Sequence, residues 1–252
     1  MEKQFSTLGY GFVLEETVLM LDYAINCLEL KKVQEYCIGK WPQKSIANKE
    51  RLWRHLKYRF FQVVGNNIEN TPFLKMYAKI RMNSIGTRDL IFHQLCITTP
   101  ILFQTLLMLV TDSFLNTGEA VFSNYHLDQL MEQKFGRIPK STKDRVRKIL
   151  IDAKRLIKID LDYHASAYCP TEAVLGYALY YDAEKNGWRA PSTNIVIEQG
   201  TVATIFLCNK PFLFAGLNRM VSMGHCEYHR LGQTDQVQFI YNSLEEFVNA
   251  WK

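Results

Sequence analysis

The chain has 252 residues, 48% hydrophobic and 22% charged, with a formal net charge of +5. That composition excludes a disordered or low-complexity chain and suffices for one to two domains with adequate cores. The small total hides a separation of charge: residues 134–158 hold ten Lys or Arg against Asp144 and Asp152, and residues 40–59 hold seven against Glu50, so the rest of the chain is acidic.

At the start, Met1-Glu2-Lys3-Gln4 leads into Phe5-Ser6-Thr7-Leu8-Gly9-Tyr10 rather than an apolar h-region. No secretory signal is expected, and an intracellular, cytoplasmic home follows. Val13, Leu14, Val18, Leu21, Ile25 and Leu28 recur at helical spacing, and Trp41-Pro42 breaks the chain. From about Ser45, Leu52, Leu56, Phe60 and Val63 line another helix, with Lys49, Arg51, Arg54, Lys57 and Arg59 interleaved and Gly65-Asn66-Asn67 as its stop. A helix over 71–81 follows, with Ser84 and Thr87 as candidate caps for what comes next.

Leu90 to Thr111 holds no charged residue over 22 positions, the length of a bilayer span. His93, Gln94 and Gln104 interrupt it, however, and Pro100 removes a backbone donor at its middle, where lipid supplies no replacement. The reading is two buried helices meeting at Thr99-Pro100, with no membrane contact. Residues 1–115 thus form an expected helical bundle.

Residues 116–170 carry the most informative pattern. Ser123 caps a helix through Lys134 that stops at Phe135-Gly136, and Ser141-Thr142-Lys143-Asp144 has the form of a capping box opening a second helix to about Leu156. Val146, Ile149, Leu150, Ala153 and Ile157 share one face, and a 100° projection sets Lys140, Lys148 and Arg155 opposite, with Arg145 and Arg147 on the flanks. Residues 158–164 read as a strand, Ala165-Ser166 as a turn and Ala167-Tyr168-Cys169-Pro170 as a return strand. Helix, turn, helix, hairpin is the order of a winged helix-turn-helix, whose second helix enters a major groove. Lys140, Ser141, Lys143, Arg147 and Lys148 are the expected contacts to the groove or adjacent phosphates, Arg137 and Arg145 lie beside them, and Lys158 and His164 sit on the wing. Lys49, Arg51, Arg54 and Lys57 would extend the phosphate track, so duplex DNA is the expected partner.

Residues 171–252 read as an α/β element: an apolar stretch at 173–181, strands at 194–198 and 202–208, a helix at 212–223, a hairpin over 227–241 around Gly232-Gln233, and a helix at 244–251. Helix followed by hairpin again resembles a wing. No internal repeat is visible in the sequence.

Catalytic chemistry is poorly represented. The chain has no phosphate-cradling glycine loop or dinucleotide fingerprint, Gly9-Tyr10-Gly11 lacking the third glycine. His225-Cys226 with His229 offers metal-ligand types, but on an expected strand and without a fourth ligand nearby. Asp160 and Asp162 share a strand face, and six scattered cysteines form no CxxC pair. The expectation is a protein that is not an enzyme and uses no cofactor or metal.

Gly11-Phe12-Val13-Leu14-Glu15-Glu16, the uncharged Phe92-His93-Gln94-Leu95 and the helix Ser141-Thr142-Lys143-Asp144-Arg145-Val146-Arg147-Lys148-Ile149-Leu150 together resemble the BrxA family, accessory proteins of bacterial BREX phage-exclusion systems. The resemblance spans roughly residues 5–165. It implies an all-helical fold of the RNA-binding antitermination type joined to a winged helix, DNA binding, and other defence-system proteins as partners. The segment from Thr171, read as strand-rich, departs from the family, as does Ala153-Lys154-Arg155-Leu156, which lacks the family's glycine. The expected fold class is mainly α: a helical bundle, a central winged helix-turn-helix and a C-terminal α/β element. Two rival roles stay open: RNA binding through the 40–59 face, and a structural subunit whose basic faces dock an acidic protein. Oligomeric state is not legible.

Overall fold

The computed structural model describes residues 10–231 and 234–252. The first apolar stripe forms α1 (Leu14–Ala24), shorter than its spacing suggests because Ile25 to Leu28 lie beyond its end, and α2 (Leu30–Lys40) opens after extended Glu29, which bridges Asn67. α3 (Ile46–Phe60) opens where Ser45 accepts a hydrogen bond from Asn48 N and ends at extended Phe61. A two-residue hairpin, β1 (Val63–Val64) and β2 (Asn67–Ile68), turns through left-handed Gly65 into α4 (Pro72–Ile80), where Thr71 caps and Pro72 takes the first-turn position that needs no donor. Asn83, rather than Ser84 or Thr87, caps α5 (Ser84–Ile97), accepting from Gly86 N at 3.0 Å; the Thr87 hydroxyl donates instead to Ile80 O. α6 (Pro100–Leu109) follows at a bend of 105°, so the uncharged run is two helices meeting at Thr99-Pro100 as its proline suggests. Among the described residues no single helix is long and apolar enough to cross a membrane.

Next come α7 (Asp112–Thr117), β3 (Glu119–Ser123), α8 (Asn124–Phe135), α9 (Lys140–Asp152), β4 (Ile157–Ile159) and β5 (Asp162–Ser166). Ser123 accepts from His126 N and Gly136 leaves α8 at φ 71°, as the cap residues predict. The capping box does not form. α9 begins one residue before Ser141, with Pro139 at its N-cap, so the Ser141 hydroxyl lies inside the helix and Asp144 turns to Arg147. The hairpin also turns earlier than expected, at Asp160-Leu161 rather than Ala165-Ser166, Asp160 taking φ 52° as aspartate does more readily than most residues. The sheet order is β3-β5-β4, all antiparallel, and the Phe122↔Tyr163 register buries both rings against α8 and α9.

The C-terminal strands expected at 194–198 and 202–208 are helices. α10 (Glu172–Asn186), α11 (Thr193–Gln199), α12 (Thr201–Phe206) and α13 (Lys210–Ser222) precede the hairpin of β6 (Cys226–Leu231) and β7 (Thr234–Phe239), then α14 (Leu244–Ala250). The α/β expectation for this segment is therefore corrected to helices carrying one hairpin, whose expected Gly232-Gln233 turn lies outside the described residues. The physical reason is burial on all sides: residues 201–209 are buried without exception, so α12 shows no polar face and its β-branched run imitates a strand. Ser192 caps α11 and Asn209 caps α13, signals that override the β-branched composition.

The molecule is thus mainly α. One hydrophobic core runs through all three segments: α10 packs on α5, α12, α13 and α14, and α14 packs on α4. Residues 112–166 and 172–239 follow a similar order of elements, the second with one helix more, α11 and α12 standing where the first has α8. In the first, β3 lies between helices and pairs with the last strand, β5. In the second, the extended 189–192 segment lies between α10 and α11 and pairs with β7, through Val237 N to Pro191 O and Phe239 N to Arg189 O, both 3.0 Å.

Candidate nucleic-acid interface

α9 is built to show one basic face. Val146, Ile149 and Leu150 are buried, which turns Lys140, Ser141 and Lys148 to solvent, while Arg137 is exposed on the turn before the helix. Lys140, Lys148, Arg137 and Lys158 make no ion pair with any described residue, so their charge is available to a polyanion.

Three cations of the same stretch are committed elsewhere. Lys143 donates to Glu132 Oε1 at 2.9 Å and lies 3.2 Å from Asp128 Oδ2. Arg147 is buried and bridges the carboxylates of Asp128 and Asp144. Burial opposes the Arg147 charge, but the bond to Asp144 and the charge of Asp128 outweigh it and raise its pKa; the bond to Glu132 raises that of Lys143. These two side chains clamp α9 onto α8. Arg155, projected onto the basic face, is fully buried, because α9 stops at Asp152 and left-handed Lys154 (φ 61°) swings the chain out of helical phase. Its Nη2 donates to Asp89 Oδ1 at 2.8 Å and its Nη1 to Phe206 O at 3.4 Å, and its guanidinium stacks 4.0 Å from the Tyr168 ring, whose hydroxyl donates to Asp89.

The second basic stretch meets the first. On α3, Arg51 and Arg54 are exposed and Lys57 is half-buried, while Lys49 donates to Ile38 O at 2.7 Å. His55 lies among them, edge-on to Tyr10 at 5.4 Å. Burial first, then the charges of Arg59, Arg51, Arg54 and Arg145, hold its imidazole below the usual histidine pKa. Arg145 of α9 therefore shares one electrostatic neighbourhood with α3, which nothing in the sequence spacing indicates.

On the hairpin, Lys158 is exposed and His164 half-buried, but the tip is apolar: Ile157, Ile159 and Leu161 are 56%, 50% and 76% exposed. This patch is not anticipated by the charge pattern, although period-two alternation of isoleucine with charge is visible there. The other candidates do not assemble. Cys226 is buried, His229 faces Glu227 and His225 stacks on Trp251 at 4.9 Å; among the described residues no group of three metal-ligating side chains occurs. His93, Thr201 and Asp182 form a buried chain, His93 Nε2 lying 3.2 Å from Thr201 Oγ1 and that hydroxyl donating to Asp182 Oδ2 at 3.0 Å, with no surface from which a substrate would reach them.

No protein-family model and no curated protein matches the chain. Two solved structures do, described as "Magnesium ion-bound SspB crystal structure" and "SspB crystal structure", each with a TM-score of 0.62. They are 10% and 11% identical to this chain, and each alignment covers 97% of it and 84% of the other. At that identity the likeness concerns the fold alone.

Proposed function

We propose that residues 112–166 form a winged helix that binds duplex DNA, α9 entering the groove and the β4–β5 hairpin serving as its wing. The chain acts by binding rather than catalysis, as a DNA-binding accessory protein of a bacterial anti-phage system; that setting rests on the family resemblance. The observation that supports DNA contact best is the set of exposed cations without ion pairs on α9 beside the arginines of α3. Counterion release by Lys140, Lys148, Arg137 and Lys158, continued by Arg51 and Arg54, supplies affinity for phosphate, and few exposed aromatics accompany α9 to stack unpaired bases. Lys143 and Arg147 serve this reading by holding the helix, not by touching DNA.

Fluorescence anisotropy with a labelled duplex across a salt series tests it, comparing wild type with Lys140→Glu/Lys148→Glu/Lys158→Glu. Each lost phosphate contact flattens the logarithmic salt slope by about 1, so the triple variant is expected to lose about 3. Equal binding by the variant, or none by wild type at low salt, overturns the assignment. Matched single-stranded RNA separates the outcomes: tighter RNA binding favours an antitermination-like role, and no binding to either favours an acidic protein partner.

A further inference from the structure

A cavity of about 440 Å³ lies away from α9, where the ends of α3 and α5 meet the start of α4, the middle of α10 and the start of α14. Its size is within the range of small-ligand sites. Tyr58, Tyr177 and Tyr181 line it together with phenylalanines of α3 and α4, and Gln94 and Glu184 stand on its wall. Arg59 also lines it and is only 3% exposed. It makes no ion pair with a described residue, and its Nη2, shielded from solvent, has no hydrogen-bond partner. Gln94 Nε2 donates to the Arg59 carbonyl at 2.9 Å, which fixes the backbone below the guanidinium without satisfying it.

A buried cation without a partner is among the more costly arrangements in a protein, so folds retain it where something else completes it. Burial draws the Arg59 pKa down to about 10, which still leaves the group charged at neutral pH. The completing group is therefore an anion. Glu184 on the same wall weighs against more than one negative charge, the carbonyl ends of α3 and α5 being offset by the amide ends of α4 and α14. The tyrosine and phenylalanine walls suit a flat ring.

We propose that this cavity binds a small monoanion bearing a planar ring, its carboxylate or phosphodiester seated on Arg59. The proposal does not rest on the DNA reading, although α3 carries both Arg59 and the arginines assigned to phosphate, and it stands whether or not α9 contacts DNA. Calorimetry on the full chain tests it with two matched pairs: indole-3-acetate against the neutral indole-3-acetamide, and 3′,5′-cyclic adenosine monophosphate against adenosine. At least one anion is expected to bind more than tenfold tighter than its neutral partner, and Arg59→Met to abolish that difference; which pair responds tells carboxylate from phosphodiester. Equal affinity within both pairs, no binding of either anion at millimolar concentration, or preference retained in Arg59→Met overturns the proposal. Because each pair is compared on wild type, the preference for the anion remains decisive even if Arg59→Met does not fold.

Discussion

The two stretches of similar element order, 112–166 and 172–239, the second with one helix more, differ in what they display and in how they are seated. α9 shows lysines and a serine to solvent, whereas α13 shows Phe212 and Ala215 beside Asn218 and Ser222, and its one arginine, Arg219, is held by Glu172 Oε1 at 2.7 Å. The first unit is tied to the bundle by the buried pair of Arg155 and Asp89. The second has an apolar seam between its own helices and α14, where Gly176 of α10 faces Phe247 and Met220, and meets α5 of the bundle through His93 and Thr201. A similar topology can thus present a helix of unpaired lysines with a polar seam behind it, Arg155 on Asp89, or a helix of exposed apolar side chains with an oily seam at Gly176. Surface chemistry, rather than the order of helices and strands, decides which unit is fit to meet a polyanion.

Breaking the polar seam should have the largest effect. Asp89→Ala leaves the Arg155 guanidinium buried without its carboxylate and is expected to cost about 3–5 kcal/mol in chemical denaturation. Asp89→Leu/Arg155→Met should recover most of that loss. A single substitution without effect would mean that the two units are seated alike.

The seat of the second unit also holds the buried His93, Thr201 and Asp182, and these sharpen the contrast through pH. Burial raises the Asp182 carboxyl to about 7, so the native state holds a proton that the unfolded chain releases above its ordinary 3.8. Its contribution therefore strengthens as pH falls from about 7 to about 4. Burial lowers the His93 imidazole to about 3, so the unfolded chain protonates first and stability is lost as pH falls from 6.5 toward 3. Between about 6.5 and 4 the two oppose each other, each by up to ~1.4 kcal/mol per pH unit. Asp182→Asn should expose the histidine slope, losing stability on acidification faster than wild type; parallel curves would contradict these protonation states.

The smallest effect belongs to the oily seam. A Cβ at Gly176 would stand 2.3 Å from Phe247 Cζ and 2.6 Å from Met220 Cε, so Gly176→Ala must displace the buried Phe247 ring and the tip of Met220. A cost of about 1–3 kcal/mol is expected from overpacking, read as a shift in the denaturation midpoint. A neutral result would show that this seam yields where the polar one does not.

The helical elements with strong caps were legible from residues alone. Ser45, Thr71, Ser123 and the Phe135-Gly136 stop mark real boundaries, and the basic face of α9 follows from Val146, Ile149 and Leu150. The misreadings have two causes. α12, buried all round, carries no amphipathic signal, so 202–208 reads as a strand, and the β-branched run Ile195-Val196-Ile197 of the short α11 gives 194–198 the same look. Helical projection, in turn, holds only while the helix lasts, so Arg155, beyond the left-handed Lys154, was drawn onto the wrong side. The clamp of Lys143 and Arg147 did leave a trace: Asp128 and Glu132 stand four apart on α8, one turn of acid awaiting a basic partner. The neighbourhood of Arg145 and His55 and the unpaired state of Arg59 depend on packing between distant segments and leave no local mark.

The charge-free run from Leu90 to Thr111 owes its composition to position. Folded at Thr99-Pro100, it sends α5 against α10 and α6 against both α8 and α12, so a single tract is wedged between the bundle and each of the two units. From Leu90 to Cys96 every residue but Gln94 is buried, so that part has no side left over for a lysine or glutamate, whereas α6 leaves Leu107 exposed. In a saturation mutational scan this tract would stand out as the least permissive of charge, and its oiliness records how many neighbours it serves.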